Sequence, residues 1–288
     1  MDSKHYGPAY ESNFLLAKTE CVAYERESEE DWFVAALEWG DSLGADVASA
    51  SLGYIDWYEF SDLNGDSAVT TIAVEQTYKN GIVCVSAAGN ENGTNWGHII
   101  APADAEHVIS VGAVDTNGVI SSFSSRGPTY DGRIKPEVVA RGVYTHCALA
   151  GGQTSYGYKS GTSLSTPLVA GAVAVILSAH PDWTPDMVRE AMMMTASNFR
   201  NPNNIYGWGL IDVMAAIDYD FNTIKPGDID FDGRFLVTDI VKLVRIVLGE
   251  VNPHEFEFQA ADMDDDDAIN ISDIMILVNK ILNDGNGI

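Results

Sequence analysis

Gly161-Thr162-Ser163-Leu164-Ser165-Thr166-Pro167 runs on through Leu168-Val169-Ala170-Gly171 to Ala179, a polar turn passing into a long apolar stretch. It reads as a loop that becomes a helix at Leu164. Working outward, Ile82 to Ala87 and Val108 to Val114 are continuous apolar runs, the pattern of strands buried on both faces. Val47 to Leu52 and Phe14 to Thr19 are shorter strand-like runs. Between them lie helical patterns. Glu29 to Leu43 carries Trp32, Phe33, Ala36 and Leu37 at helical spacing, and Val69 to Tyr78 stops at Asn80-Gly81. Beyond the long helix, Thr184-Pro185-Asp186 opens another. Strand and helix in alternation predict an α/β domain, a parallel sheet with helices on both faces.

The whole chain has 288 residues, 42 acidic against 16 basic, for a formal net charge of −26. That balance argues against nucleic acid or an anionic membrane surface as partner, because phosphate binding needs Lys and Arg. The longest apolar run, Leu168 to Ala179, falls short of the ~20 residues a membrane helix needs. Met1 to Tyr10 is polar and lacks the apolar core of a signal peptide. Cys21, Cys84 and Cys147 match no metal spacing and, being odd in number, close no disulfide framework. Cys84, inside an apolar strand, is expected to pack as a small hydrophobe.

A serine at the start of a helix lies at the positive end of its dipole, beside backbone N–H groups without intrahelical partners. Those donors can stabilise an oxyanion forming next to the serine oxygen. The same position also suits a plain helix cap by Thr162 or Ser163. Other stretches weigh on that choice. Ala87-Ala88-Gly89-Asn90, Ser51-Leu52-Gly53, Ser121 to Pro128, Lys135 to Ala140 and Tyr206 to Asp212 stand, with the serine motif, in the order found in subtilisin-like serine proteases. Roughly residues 7 to 219 resemble that family.

The resemblance implies an acyl-forming nucleophile at Ser163, with Asn90 donating its side-chain amide to the oxyanion. It implies a substrate-binding edge at Ser51, Leu52 and Gly53 and a facing wall at Ala87, Ala88 and Gly89. Ile100-Ala101 is expected at the floor of the first side-chain pocket, whose small, uncharged walls favour an apolar residue before the cleaved bond. Arg141 stands where the family usually has proline. The family's aspartate and His-Gly-Thr motifs have no counterpart here. None of His5, His98, His107, His146, His180 and His254 precedes Gly-Thr. The expectation is therefore the C-terminal part of a catalytic domain, nearly inactive alone. The alternative is a protease-like scaffold that only binds.

The remainder is different. From Pro226 to Ile288 there are 14 acidic and 4 basic residues. Asp228, Asp230, Asp232 and Asp239 occupy positions 1, 3, 5 and 12 of a loop, and Asp262, Asp264, Asp266 and Asp273 repeat those offsets 34 residues later, with Asn270 at position 9. Ca²⁺ takes 6–8 oxygen ligands, and this spacing wraps carboxylates around one ion. Gly233 at position 6 permits the sharp turn there, whereas Asp267 fits it less well. Each loop leads into an apolar stripe, Ile240, Leu243, Val244 and Val247 or Ile274, Leu277, Val278 and Ile281. Two loop-helix units with Asp at position 12 resemble a dockerin module. That resemblance implies two Ca²⁺ ions and a cohesin-like or cell-surface partner, met by Val237-Thr238 and Ile271-Ser272. The expected division is a peptidase domain over 1–219, a linker over 220–225 and the module over 226–288. Both resemblances imply a secreted or cell-surface protein with protein or peptide substrates.

Overall fold

The computed structural model describes residues 7–152, 154–221 and 224–283. The chain forms two compact units, Met1–Tyr219 and Asp220–Ile288. Asn222 and Thr223 of the expected linker, and His5, lie outside the described residues.

The first unit begins with α1 (Ser28–Ser42), β1 (Val47–Ala50), α2 (Val69–Lys79), β2 (Val83–Ala87) and β3 (Ile109–Val114). It continues with β4 (Val138–Arg141), β5 (Thr145–Ala148), β6 (Tyr156–Lys159), α3 (Thr162–Ala179), α4 (Pro185–Met194) and α5 (Val213–Ile217). The four strands β1-β2-β3-β4 pair in that order, all parallel. The continuous apolar runs account for this: every residue of β2 and β3 is buried. β5 and β6 form a separate antiparallel hairpin leading into α3. On the sheet, α3 lies across all four strands. Phe33 of α1 and Val74 of α2 close over Cys84 and Val108. Burial pushes the Cys84 thiol up to about 12, as expected of a packed hydrophobe.

α3 is apolar and, at 18 residues, just long enough to cross a membrane by length and composition. Here it is the core helix of the domain, with Val169, Ala172, Val173 and Ile176 buried. At its far side Thr184 accepts from Met187 N and caps α4, whose first residue is Pro185. The Lys135-Pro136-Glu137 stretch carries a fully buried ion pair. Lys135 Nζ donates to Glu137 Oε1 and to Ala105 O, both at 2.6 Å. The other carboxylate oxygen, Glu137 Oε2, accepts from Ser110 N of β3 at 2.8 Å. Desolvation lowers the Lys135 amine from its ordinary value.

One expected strand is not formed. Phe14 to Thr19 is neither strand nor helix, and Leu16 is 86% exposed. An apolar extended run becomes a strand only against a ladder partner, and among the described residues this segment has none. It borders a cavity of about 200 Å³ lined by Leu15, Ala17 and Thr19 together with Val47, Ser49 and Ser51. β1 is thus an edge whose second side faces a groove.

The second unit is helical: α6 (Val237–Val247), α7 (Glu255–Ala261) and α8 (Ile271–Asn283). Leu243 and Ile246 of α6 and Leu277 and Ile281 of α8 are buried, and the two helices pack together. Ile246 replaces part of the expected stripe. α7 has no counterpart among the expected elements; it starts at His254, whose side chain accepts from Glu257 N, and it buries Phe256, Ala260 and Ala261.

Candidate active site and calcium loops

Gly161 precedes α3 with φ 151° and ψ 155°, a backbone geometry that costs glycine little and other residues much. That turn brings the helix start beside the end of β2. The helix is not capped by Thr162 or Ser163. Instead Asn90 Oδ1, arriving from the loop after β2, accepts from Thr162 N at 2.9 Å and from Thr162 Oγ1 at 3.2 Å. With its carbonyl held this way, Asn90 is exposed and its Nδ2 has no protein partner among the described residues. Ser163, in the first turn, has a backbone N–H without an intrahelical acceptor.

Pro167 has its own part in this corner. Lacking an N–H, it cannot donate to Ser163 O four residues earlier. Ser51 Oγ fills that role from the end of β1, donating to Ser163 O at 3.0 Å. In return Ser163 Oγ donates to Ser51 O at 3.1 Å. Sequence-distant motifs therefore meet at one helix terminus: Ser51 from β1, Asn90 from β2, Thr162 and Ser163 from α3. Leu52 and Gly53 continue from Ser51, and Tyr54 N donates to Ala101 O at 2.9 Å. Ala87, Ala88 and Gly89 run into Asn90, held by Ala88 N to Val111 O at 3.1 Å and Ser125 N to Gly89 O at 2.9 Å. Thr162 as the anchor of Asn90 leaves no signal in the sequence, because only the folded chain puts the two in reach.

No histidine among the described residues bonds to Ser163. His98 stacks on Phe60 at 3.8 Å, His107 pairs with Glu75 at 2.7 Å and His146 stacks on Tyr156 at 5.8 Å. His180 reaches Ile217 O at 2.8 Å, and His254 caps α7.

In the second unit, ligand oxygens of Asp228, Asp230 and Asp239 lie within 4.8 Å of one another, as do those of Asp262, Asp264 and Asp273. Positions 1, 3 and 12 of each loop are thus gathered. Asp232, Asp266 and Asn270 stand outside these groups, accepting from Arg234 N, Ala268 N and Ser272 N at 2.8–3.0 Å. Matching backbone bonds shape both loops. Asp228 accepts from Asp232 N and Gly233 N, and Asp262 from Asp266 N and Asp267 N. Burial, then the Asp239 and Asp230 charges, raises Asp228 above the usual carboxylate range; burial also raises Asp239. Desolvation with the Asp266, Asp273 and Asp262 charges raises Asp264. These are carboxylates held close without an ion-pair partner among the described residues, the donor set a hard divalent cation fits.

Position 6 has φ 84° at Gly233 and φ 61° at Asp267. A left-handed backbone costs a non-glycine residue about 1–2 kcal/mol, somewhat less for aspartate. Asp267→Gly is therefore expected to stabilise the second unit by about 1 kcal/mol. Urea unfolding at fixed calcium checks this, and no shift of the midpoint would contradict it.

A third carboxylate group, Glu20, Glu25 and Glu29, has no spacing that marks it in the sequence. Two of its members are engaged structurally: Glu29 accepts from Cys21 N and Arg26 N, and Glu20 from Tyr54 Oη.

Comparison with known proteins agrees with this geometry. Residues 2–209 match the Subtilase family, and residues 226–282 match the Dockerin type I domain. Subtilisin amylosacchariticus of Bacillus subtilis subsp. amylosacchariticus is 39% identical over 186 residues, covering 64% of this chain and 44% of that protein. Serine protease AprX of Bacillus subtilis (strain 168) is 34% identical, covering 74% of this chain and 53% of that protein. The chain thus spans about half the length of these curated relatives. Among solved structures, the self-cleaved protease domain of PatA is 26% identical with a TM-score of 0.55, covering 67% of this chain and 68% of that one. MycP1 with its N-terminal propeptide removed, 22% identical at a TM-score of 0.54 and covering 69% of each chain, shares the fold. The subtilisin-like α/β fold, the serine-peptidase relatives and the two matched segments converge: this chain belongs to the subtilase family and carries a dockerin type I domain.

Proposed function

We propose that the chain is the nucleophile-bearing part of a secreted serine endopeptidase, tethered through its calcium module to a cohesin-like or cell-surface partner. The carrying observation is the meeting of Ser163, Asn90 and Ser51 at the start of α3. Ser163 Oγ attacks the peptide carbonyl and forms the acyl-enzyme. The oxyanion is met by Asn90 Nδ2 and the Ser163 N–H, and Asn90 is held for this by its bonds from Thr162, which exist before substrate arrives. Leu52 and Gly53 offer backbone to an extended peptide. The base and its orienting carboxylate come from chain outside this sequence, and a strand from that chain fills the groove beside β1.

In the second unit Asp228, Asp230 and Asp239 hold one Ca²⁺ and Asp262, Asp264 and Asp273 a second, with Asp232, Asp266 and Asn270 turning inward when metal binds. The partner face includes Val237 and Ile271, 59% and 66% exposed at the starts of α6 and α8. Val241 and Met275, also exposed, extend each patch by one helical turn.

Reactive-serine labelling tests the enzyme reading. Joined to its upstream coding sequence, the protein should take up a fluorophosphonate at Ser163, and Ser163→Ala should abolish the label. A folded, extended protein that stays unlabelled would leave the binding scaffold as the better account.

A further inference from the structure

From Val138 to Pro181 the sequence holds no Asp or Glu, although the whole chain has 42 in 288 residues. The β5–β6 hairpin lies in this stretch with Arg141, His146 and Lys159, all exposed. Among the described residues neither Arg141 nor Lys159 belongs to an ion pair. At physiological salt, charges are screened beyond about 8 Å, so this local cationic spot, and not the total of −26, decides what is attracted on contact.

The hairpin also displays a row of rings. Pairing sets His146 opposite Tyr158 and Ala148 opposite Tyr156, so these side chains share one face. Tyr144 joins that face by stacking on Tyr158, the rings 4.3 Å apart and 2° from parallel, and His146 meets Tyr158 edge-on at 5.2 Å. Tyr144, Tyr156 and Tyr158 are 63%, 50% and 52% exposed. Lys159 leaves from the reverse face of a ribbon only two strands wide, and so flanks the rings.

Tyr144 is held in place against its own preference. Its φ of 51° is left-handed, which a bulky side chain seldom adopts. Tyr144 N donates to Ser160 Oγ and Arg141 Nη2 donates to Tyr144 O, both at 2.9 Å. Proline, which the family usually has at position 141, could supply neither that bond nor the charge. Backbone strain persists only where the surroundings fix it, and it gathers at recognition sites.

We propose that the ringed face of the β5–β6 hairpin docks a short acidic segment of another polypeptide. The segment's carboxylates accept from Arg141 and from the Tyr144 and Tyr158 hydroxyls, its apolar atoms lie on the rings, and Lys159 adds attraction from the rim. A long polyanion fits less well, because beyond the hairpin it would meet a surface that carries all of the chain's acidic residues. The docking face needs no chemistry at Ser163 and is independent of the peptidase reading.

Fluorescence anisotropy tests this on the full chain with two labelled peptides, one built of Glu, Gly and Tyr and the other with Gln for every Glu. The Glu peptide should bind at least about tenfold tighter, and the advantage should shrink between about 50 mM and about 500 mM NaCl. Arg141→Pro and Lys159→Glu should each weaken it by about three- to fivefold. Tyr144→Gly should weaken it too while keeping or raising the urea midpoint, because glycine takes the left-handed backbone without strain. Ser163→Ala should bind as the native chain does. Equal affinity for the two peptides, or unchanged affinity in the folded hairpin variants, would overturn the proposal. So would loss of binding in Ser163→Ala, which would put the peptide at the start of α3. Tighter binding of polygalacturonate than of the Glu peptide would overturn the polypeptide occupant.

Discussion

On a fluorogenic peptide, the 288-residue chain is expected to be no faster than its own Ser163→Ala variant. Ser163 Oγ donates to Ser51 O, a backbone carbonyl that cannot take its proton away. A neutral serine is a poor nucleophile until a base accepts that proton. In subtilisin, loss of the catalytic histidine costs about 2 × 10⁶ in kcat. On the proposed reading Asn90 Nδ2 and the Ser163 N–H are still in place as oxyanion donors, so the expected deficit lies in proton transfer. Joining the upstream coding sequence should therefore raise turnover by about 10⁶, with Asn90→Ala then costing about 10²–10³, as loss of the equivalent donor does in subtilisin. Melting temperature should rise in the same step. Leu15, 45% exposed, lines the groove beside the unpaired edge of β1, and its neighbours Phe14 and Leu16 are 68% and 86% exposed. Covering them recovers about 25 cal/mol for each Å² of apolar area. Robust turnover by the short chain, lost on Ser163→Ala, would reveal a base elsewhere. An extended chain that melts no higher would show the groove is not a strand site.

What the primary structure discloses differs from one region to the next, for physical reasons. β2, β3 and α3 are plain to read because each is packed into the core, and burial on that scale leaves a continuous apolar run. Phe14 to Thr19 carries the same local signal and yet forms no strand, since pairing depends on a neighbour that composition cannot supply. Ser163 and Asn90 are visible as motifs, but Thr162's hold on Asn90 exists only once β2 and α3 are side by side. Ile100 is singled out beforehand by resemblance alone, and its packing against Gly53 and Gly89 appears only once the fold brings those segments together. The calcium loops are the opposite case, because their geometry is local and repeated. Even there α7 escapes notice, a seven-residue helix started by a histidine cap rather than by a long apolar period.

Withdrawing calcium should unfold the second unit while leaving the first largely intact. In scanning calorimetry of the whole chain, two transitions are expected in millimolar Ca²⁺, and EGTA should move one of them. The reason lies in how the unit is held together. Asp239 and Asp273 are buried and tie the start of each helix to its loop, accepting from Leu236 N at 2.9 Å and Asn270 N at 2.7 Å. Without an ion, each stands among like charges, and Asp228, Asp239 and Asp264 are all held above their ordinary range. Ionised carboxylates thus work against the metal-free fold, and it weakens as pH rises through those raised values. The apolar interior offers little to offset this, being chiefly Ile229, Leu243, Ile246, Phe256, Leu277 and Ile281. An ion at a thousandfold excess over Kd contributes about 4 kcal/mol. In a domain this small, 1 kcal/mol moves Tm by about 4–8 °C. Two ions should therefore account for a shift of some tens of degrees, enough to leave the unit unfolded at room temperature when calcium is removed. Asp239→Ala and Asp273→Ala should each remove one ion from the stoichiometry measured by calorimetric titration. Two transitions indifferent to EGTA, or a titration that finds no bound calcium, would show that the acidic loops are closed by their own hydrogen bonds.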